Sequence, residues 1–329
     1  MRSKPTSSSQ PSQSIGQAGQ KPWTVRSVLQ WTTDFFARHE LASARLDAEV
    51  LLAHVLEQDR LALYLHYEDT VSETALQAYR GLIRRRVNRE PIAYIRGSRE
   101  FYSISFAVDP SVLIPRPETE HLVEYVLQHV PNRPVVMDPG GLKILEIGTG
   151  CGNLCVALAK HLSRARIVSM DISSSALSVA RRNTAGHPDC SERIRFFQGD
   201  LFEGLHPARA KFDLIVSNPP YVPTESWDEL APEVRGHEPR IALDGGLRGT
   251  EILQRILRDA PGHLLTDGFL VLEIGEDQAD NLLGTAQDTG QYRDARVLED
   301  YAGKPRVLVA TTQQRVSSST LLDGTADKR

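Results

Sequence analysis

From Lys143 onward, short apolar segments alternate with longer amphipathic ones, and this alternation limits the possible folds more than any other feature. The apolar runs are typical of buried strands and lie at 144–147, 167–170, 194–198, 214–216, 269–274, 295–298 and 306–310. Helices are predicted between them, at 153–161, 174–183, 250–260 and 276–286. This alternation predicts a doubly wound α/β sheet. The link 299–305 is too short for a helical crossover, so the last two strands are expected to form an antiparallel hairpin.

The segment 24–89 has a helical pattern of apolar residues instead. Thr24, Ser43 and Ser72 can each cap a helix, and short loops between helices predict a small antiparallel bundle. The basic run 84–86 at the end of the last helix is interpreted as a solvated face that complements the helix dipole. Contact with an acidic partner is the alternative.

Residues 91–120 differ in character from both neighbours. The segments 91–95 and 101–108 are predicted to be extended, the second as a hairpin strand. Arg116 stands between two prolines, which hold it in an extended conformation. This stretch is therefore predicted to link the bundle to the sheet.

Composition narrows the possible partners and the cellular compartment of the protein. The formal charge of -4 and pI of about 6.2 disfavour a nucleic-acid partner. The three cysteines favour a reducing compartment, and Cys151 with Cys155 lacks the histidines of a metal site, so no metal is expected. No apolar run reaches the roughly 18–20 residues of a membrane span, and the N-terminus lacks a secretory core. A cytoplasmic protein without a membrane partner is expected.

A glycine-rich loop follows the first predicted strand and precedes a helix. It runs from Gly148 to Gly152, with Glu146 just before it. Glycines let backbone N–H groups approach a ligand. The dinucleotide fingerprint requires a glycine where this chain has Asn153, so the loop better fits a cofactor without a pyrophosphate. The carboxylate of an amino acid can face the helix N-terminus instead.

Acidic residues mark the ends of the next two strands. Asp171 is placed to accept hydrogen bonds from both hydroxyls of a ribose, with helix capping as the alternative. Asp200 is placed to bind an adenine amino group, with Leu201 or Phe202 against the ring, although a plain turn aspartate fits nearly as well. A nucleoside that bears an amino-acid tail fits all three strand ends, and S-adenosyl-L-methionine is therefore the predicted cofactor.

The fourth predicted strand ends in Asn218-Pro219-Pro220-Tyr221. Two prolines stop the strand because neither has an N–H for the ladder. The turn offers an amide oxygen, unused proline carbonyls and an aromatic face, which together suit a planar NH2 group. In a parallel sheet this turn lies beside the cofactor, so the predicted methyl acceptor is an amide or amine nitrogen. A rigid turn that only ends the strand is the alternative.

These motifs resemble the class I methyltransferases and, within them, the HemK family of protein-(glutamine-N5) methyltransferases, from about Thr24 to Ala310. The residues that carry the resemblance are 101–102, 113–120, 148–152, 218–221, 238–246, 273–275 with Gln278, and 306–307. The Asn-Pro-Pro-Tyr motif is shared with adenine-N6 methyltransferases, but its combination with Ile-Pro-Arg-Pro-Glu-Thr-Glu is specific to the family. Cys151 and Asn153 depart from the family pattern.

The resemblance implies a class I (Rossmann-like) methyltransferase sheet with a small N-terminal helical bundle. It implies methylation of the glutamine amide nitrogen in the Gly-Gly-Gln motif of peptide-chain release factors, by a monomer with no direct nucleic-acid contact. The alternatives are an adenine-N6 methyltransferase of DNA or RNA, or a methyltransferase of a ribosomal protein glutamine. A non-enzymatic binding protein with a relic fold is a further alternative.

The residues expected to act follow from the motifs and the resemblance together. Catalysis is assigned to Asn218, Pro219 and Tyr221. Cofactor binding is assigned to Glu146, Gly148, Thr149, Gly150, Cys151, Gly152, Asp171, Asp200, Leu201 and Asn218. Substrate binding is assigned to Asn218, Pro219, Pro220, Tyr221, Arg116 and Glu118.

The predicted organisation has five parts. They are a disordered tail at 1–22, a helical substrate-docking domain at 23–90, a β-hairpin and linker at 91–120, the catalytic domain at 121–312, and a flexible tail at 313–329.

Overall fold

The computed structural model describes residues 22–129 and 141–313. Apart from Pro22 and Gln313, both predicted tails lie outside these residues. The chain divides into two compact units, of which the first ends at Val87 and the second begins at Asn88. The five-part division proposed from the sequence remains a prediction.

The first unit is a set of helices. They are α1 (Val25–Arg38), α2 (Ala44–Val55), α3 (Arg60–Leu65) and α4 (Glu73–Val87). Thr24 caps α1 as predicted, since its hydroxyl accepts the Ser27 N–H at 3.3 Å and the Ser27 hydroxyl accepts the Thr24 N–H at 2.9 Å. Apolar residues of each helix are fully buried, among them Leu29, Leu51 and Leu63.

The basic run at the end of α4 is not uniformly solvated. Arg86 is buried and its Nε lies 2.7 Å from Oδ2 of the equally buried Asp47. The interpretation of the run as a solvated face is therefore wrong for Arg86. A buried arginine needs an anionic partner because desolvation of an unpaired charge is costly.

The second unit begins with a short helix and a hairpin. These elements are α5 (Ile92–Arg96), β1 (Ser98–Phe101), β2 (Ile104–Ala107), a 3-10 turn at Pro117–Thr119 and α6 (Glu120–His129). The expectation that 91–95 is extended is wrong. Gly97 ends α5 with a left-handed φ of 72°, and Tyr94 is buried. The strand expected at 101–108 is interrupted at Tyr102 and Ser103, whose positive φ values form the hairpin turn.

The remainder is a seven-stranded sheet with helices on both faces. Its strands are β3 (Lys143–Ile147), β4 (Arg166–Asp171), β5 (Ile194–Gln198), β6 (Phe212–Ser217), β7 (Leu264–Glu273), β8 (Tyr292–Glu299) and β9 (Pro305–Thr312). Its helices are α7 (Asn153–His161), α8 (Ser174–Ala185), α9 (Pro188–Ser191), α10 (Pro232–His237), α11 (Glu251–His263) and α12 (Ala279–Asp288).

The strand order is β5-β4-β3-β6-β7-β9-β8. All neighbours from β5 to β7 are parallel, whereas β9 pairs antiparallel with both β7 and β8. The doubly wound sheet and its final hairpin are confirmed. The chain first extends the sheet outward from β3 through β4 to β5 and then returns to place β6 on the other side of β3. Ligands bind at such a switch point, outside the carboxyl ends of the strands.

Alternation along the central strands builds two cores. Ile144 faces the cluster that contains α6, α7 and α8, whereas the adjacent Leu145 faces the cluster that contains α11 and α12. Along α11, Leu253, Ile256 and Leu257 are fully buried at helical spacing. Each such side chain contributes about 1.5–3 kcal/mol on burial, so the helices fix the sheet whose edge carries the site.

Candidate active site

A cavity of about 510 Å³ lies at the carboxyl edge of the sheet, where the chain leaves β3, β4, β5 and β6. Its size is within the range of small-molecule sites, about 300–1,000 Å³. The strand-end residues that line it include Gly148, Asp171, Asp200 and Asn218. The sequence motifs thus meet in one place.

The glycine loop is held over the end of β4. The N–H groups of Gly148 and Thr149 both donate to the Met170 carbonyl, at 2.8 and 3.1 Å. Gly148, Gly150 and Gly152 all have positive φ, between 54° and 85°. A Cβ at Gly150 would meet no atom within 4 Å, so the loop leaves open space where other residues would place a side chain.

Asp171 ends β4 and is tied to the loop. Its Oδ2 accepts the Gly150 N–H at 2.9 Å and its Oδ1 accepts the Ser173 N–H at 2.8 Å. Burial raises the pKa of this carboxyl, against the lowering effect of these two hydrogen bonds. Each carboxylate oxygen has a second lone pair, so Asp171 can still accept two hydrogen bonds from a ligand.

Glu146 lies behind the loop rather than on the cavity wall. It is fully buried, and the Ser169 hydroxyl donates to its Oε2. Its Oε1 has no hydrogen-bond partner among the described residues. Burial is the main reason that the pKa of Glu146 rises to about 7. A positive charge near such a buried carboxyl would favour its ionised form.

The two residues that depart from the family pattern both lie at the cavity. Cys151 is buried at the cavity, and burial raises the pKa of its thiol to about 12, so it stays protonated. Its carbonyl accepts from Asn183 Nδ2 at 2.8 Å, which joins the loop to α8. Asn153 also lines the cavity. Both residues therefore belong to the wall of the site.

The end of β5 contributes Asp200 and Leu201 to the cavity. Arg255 Nη2 lies 2.8 Å from Asp200 Oδ2, a partner that the sequence did not indicate. Leu201 has a left-handed φ of 52°, which a non-glycine residue rarely adopts.

Asn218 lines the cavity with Pro219 and Pro220. Asn218 Nδ2 donates to Thr119 Oγ1 at 2.9 Å, and the Thr119 hydroxyl donates to Glu273 Oε2 at 2.7 Å. Within the described chain, Asn218 Oδ1 and the Pro219 carbonyl form no hydrogen bond. Two acceptors therefore remain for a ligand.

Tyr221 lies at the side of this wall and is not among the cavity-lining residues. Its hydroxyl donates to Glu273 Oε1 at 3.0 Å, and burial with the nearby Glu273 charge raises its pKa. Its carbonyl accepts from Gln278 Nε2 at 2.8 Å. Both ends of the residue are thus fixed.

Arg116 and Glu118 differ in position. Arg116 lines the cavity, whereas Glu118 is exposed and outside it. Arg116 Nη2 lies 2.5 Å from Oε1 of Glu238, and Glu238 Oε2 accepts the Ile114 N–H at 3.1 Å. Glu238 thereby ties the cavity loop 222–246 to the stretch that contains Arg116.

Comparison with known proteins identifies the family. A domain family described as PrmC N-terminal domain matches residues 27–97, and one described as Methyltransferase domain matches residues 144–237. The release factor glutamine methyltransferase of Geobacter sulfurreducens is 43% identical over 286 residues, covering 87% of this chain and 96% of that protein. The enzyme of the same name from Rhodopirellula baltica is 42% identical over 287 residues, with the same coverage.

The chain belongs to the release factor glutamine methyltransferase family. A solved structure, the hMettl16 catalytic domain in complex with the MAT2A 3′UTR hairpin 1, shares the fold at a TM-score of 0.50 and 16% identity. The alignment covers 65% of this chain and 76% of the hMettl16 chain.

Several residues outside the predicted site hold the site residues of this family member in place. Sequence reasoning assigned no role to Thr119, Glu273, Glu238 or Gln278, although it noted the motifs that contain them. An acid that ends an apolar strand, as Glu273 ends β7, was the available signal. A buried carboxyl group requires hydrogen-bond partners. Those of Glu273 are Thr119 and Tyr221, which lie in other motifs of the sequence.

Two further observations concern the described residues alone. Within 22–129 and 141–313, no group of three or more His, Cys, Asp or Glu side chains is arranged to hold a metal ion. No helix in these ranges is long and apolar enough to cross a membrane.

Proposed function

We propose that this protein methylates the side-chain amide nitrogen of a glutamine in peptide-chain release factors, with S-adenosyl-L-methionine as methyl donor. Relatives named release factor glutamine methyltransferase, which align with most of the chain, support the reaction and the substrate. The observation that carries the chemistry is Asn218: its NH2 is bonded to Thr119, and its oxygen, at the cavity wall, has no hydrogen-bond partner among residues 22–129 and 141–313. The glutamine of the Gly-Gly-Gln motif is the proposed target.

The role proposed for Asn218 follows from the weakness of the acceptor. An amide nitrogen is a poor nucleophile because its lone pair is delocalised into the carbonyl. Asn218 Oδ1 and the Pro219 carbonyl would accept the two N–H bonds of the substrate amide. Two acceptors fixed beside the nitrogen stabilise the positive charge that develops there, and such electrostatic groups are worth about 10²–10³ in rate each.

The residues present fit the cofactor. When bound, S-adenosyl-L-methionine supplies a methyl group activated by a positively charged sulfur. Asp171 has lone pairs free for ribose hydroxyls, and the open space at Gly150 admits a ligand against the backbone. Asp200 and Leu201 would hold the adenine. The loop from Gly148 through Thr149 and Cys151 to Gly152, with Glu146 behind it, would hold the amino-acid end.

The other residues assigned to the substrate site have separate proposed roles. Tyr221 would hold the Asn218–Pro220 turn in place beside the substrate amide, because its hydroxyl and its carbonyl are both anchored. Arg116 would contact the substrate or its loop, since it lines the cavity. Glu118 is exposed and would contact the release factor outside the cavity. The helical region 23–90 is the proposed docking element.

Methyl transfer tests this function directly. Labelled S-adenosyl-L-methionine is incubated with the protein and a purified release factor, with its Gly-Gly-Gln glutamine-to-alanine variant, and with duplex and single-stranded DNA. Label on the wild-type factor alone is the expected result. Label on DNA, or on the alanine variant to the same extent, would show that the acceptor nitrogen has been assigned wrongly.

The role of Asn218 needs its own variant. We expect Asn218→Ala to lower turnover by about 10²–10³ while leaving cofactor affinity nearly unchanged, because it removes an acceptor for the substrate. Asn281→Ala is the matched control, since Asn281 is exposed on α12 and outside the cavity. Equal loss of turnover and cofactor affinity in Asn218→Ala would contradict the assigned role.

A further inference from the structure

The carboxylate of Glu273 bonds to two different parts of the proposed substrate site. Its Oε2 accepts from Thr119, which in turn accepts from Asn218, and its Oε1 accepts from Tyr221. Glu273 is fully buried at the end of β7, and Thr119 is 1% exposed. Among the described side chains, this network connects three separate motifs of the sequence.

The direction of each hydrogen bond in the network is determined by Glu273. When Glu273 is ionised, its carboxylate can only accept, so the single hydroxyl proton of Thr119 is committed to it. Thr119 Oγ1 can then only accept from Asn218, which must present its NH2 inward. Reversal of the Asn218 amide would place its oxygen against the Thr119 oxygen, with no proton between them. The amide oxygen of Asn218 is consequently held toward the cavity.

Several influences act on the charge of Glu273. Burial raises the pKa of its carboxyl, whereas the hydrogen bonds from Thr119 and Tyr221 and the charge of Arg306 lower it. The exposed Glu118 acts in the raising direction. The hydroxyl groups of Thr119 and Tyr221 therefore stabilise the Glu273 anion, and that anion in turn orients both hydroxyl groups.

We infer that Thr119 and Glu273 are positioning residues that select an amide-bearing acceptor by fixing Asn218 with its oxygen toward the substrate. The inference rests on the proposed function and adds the residues that set its specificity. A primary amide offers two N–H donors to the Asn218 oxygen and the Pro219 carbonyl. A carboxylate side chain of the same length offers only acceptors. It is rejected because the Asn218 oxygen and the Pro219 carbonyl oxygen would then have no donor. The link also joins the Ile-Pro-Arg-Pro-Glu-Thr-Glu and Asn-Pro-Pro-Tyr motifs, because Thr119 of one bonds to Asn218 of the other.

The test is a double-mutant cycle in the full-length protein. Thr119→Val removes the hydroxyl at nearly constant volume, and Thr119→Ser restores it. Thr285→Val is the matched control, because the Thr285 hydroxyl bonds only to the Asn281 carbonyl on α12. We expect Thr119→Val to lower kcat about 10-fold or more and also to lower Tm, because the buried Glu273 carboxylate loses a donor. Thr119→Ser should recover most of both losses, and cofactor affinity should change little.

The cycle separates positioning from structure. If Thr119 acts through Asn218, then Thr119→Val should change kcat less than about 2-fold once Asn218 is already alanine. Full, independent losses in the double variant would overturn the inference while leaving the proposed function intact. Failure of the wild-type protein to methylate a release factor would instead refute the function.

A second measurement requires no substrate. In protein labelled with ¹⁵N-asparagine, the side-chain NH2 signals of Asn218 are assigned by their loss in Asn218→Ala. We expect slow solvent exchange for the hydrogen-bonded proton in the wild type and in Thr119→Ser, with faster exchange in Thr119→Val. Glu273→Gln should also speed exchange, because an amide at this position can donate to Thr119 and reverse its hydroxyl. Unchanged exchange in all variants would overturn the inference whatever the acceptor proves to be.

Discussion

Gly249 packs directly against the carbonyl of Tyr221, and its replacement by alanine tests how closely that turn is supported. Its φ is +73°, and a Cβ there would lie 2.3 Å from Tyr221 O and 2.9 Å from both Gln278 Nε2 and Pro223 N. Two of these atoms are already joined, since Gln278 Nε2 donates to Tyr221 O at 2.8 Å. A methyl group at Gly249 must therefore displace the Tyr221 carbonyl or the amide that holds it.

The expected cost has two parts. A non-glycine residue with left-handed φ costs about 1–2 kcal/mol, and overpacking costs about 1–3 kcal/mol. The variant Gly290→Ala separates the cost of left-handed φ from the cost of overpacking, because Gly290 has a φ of +61° and a Cβ there would meet nothing within 4 Å. We expect Gly290→Ala to lose only the first part of the free energy of unfolding and Gly249→Ala to lose about 2–5 kcal/mol in all.

Urea unfolding measures the difference. Replacement of Trp23 and Trp31 by phenylalanine leaves Trp227, in the loop 222–246, as the single tryptophan, so its fluorescence reports on the second unit. Midpoints are compared at constant m. Gly249→Ala should also reduce methyl transfer more than cofactor affinity, because Asp171 and the glycine loop are not contacted. Equal destabilisation and equal activity in the two variants would refute the argument that Gly249 supports Tyr221.

Three further predictions concern carboxylates, of which Glu146 and Glu238 are buried and Asp171 lines the cavity. Because the pKa of Glu146 is raised to about 7, its stabilising effect is complete below about pH 4.5 and is lost as the pH rises toward 7. Urea titrations should show Glu146→Gln gaining up to about 3 kcal/mol relative to wild type from pH 4 to pH 8, and parallel curves would contradict this. Glu238→Gln should destabilise the protein by about 1–3 kcal/mol, since Arg116 loses its anionic partner, and an unchanged unfolding midpoint would exclude that contact as a stabiliser. Asp171→Asn should weaken S-adenosyl-L-methionine binding about 10–100-fold by calorimetry, whereas an unaltered Kd would argue against ribose contact.

The local parts of the fold follow from local sequence. Strands β3 and β6 are apolar runs that are buried along almost their whole length, which makes their pattern easy to recognise in the sequence. The segment 91–95 was misjudged because its residues are poor evidence for helix by themselves. Burial of Tyr94 and the left-handed Gly97 decide that conformation, and both depend on the folded chain.

The sequence by itself determined the doubly wound sheet and placed the glycine loop, Asp171 and Asn218 at one edge. It could do so because strand periodicity, glycine conformations and proline breaks act within a few residues. Only the tertiary structure decided which way Asn218 points and what holds Tyr221. Thr119 lies 99 residues from Asn218, and Glu273 lies 154 residues from Thr119. Their hydrogen bonds exist only after the sheet has brought these elements together, and burial makes the direction of each bond obligatory.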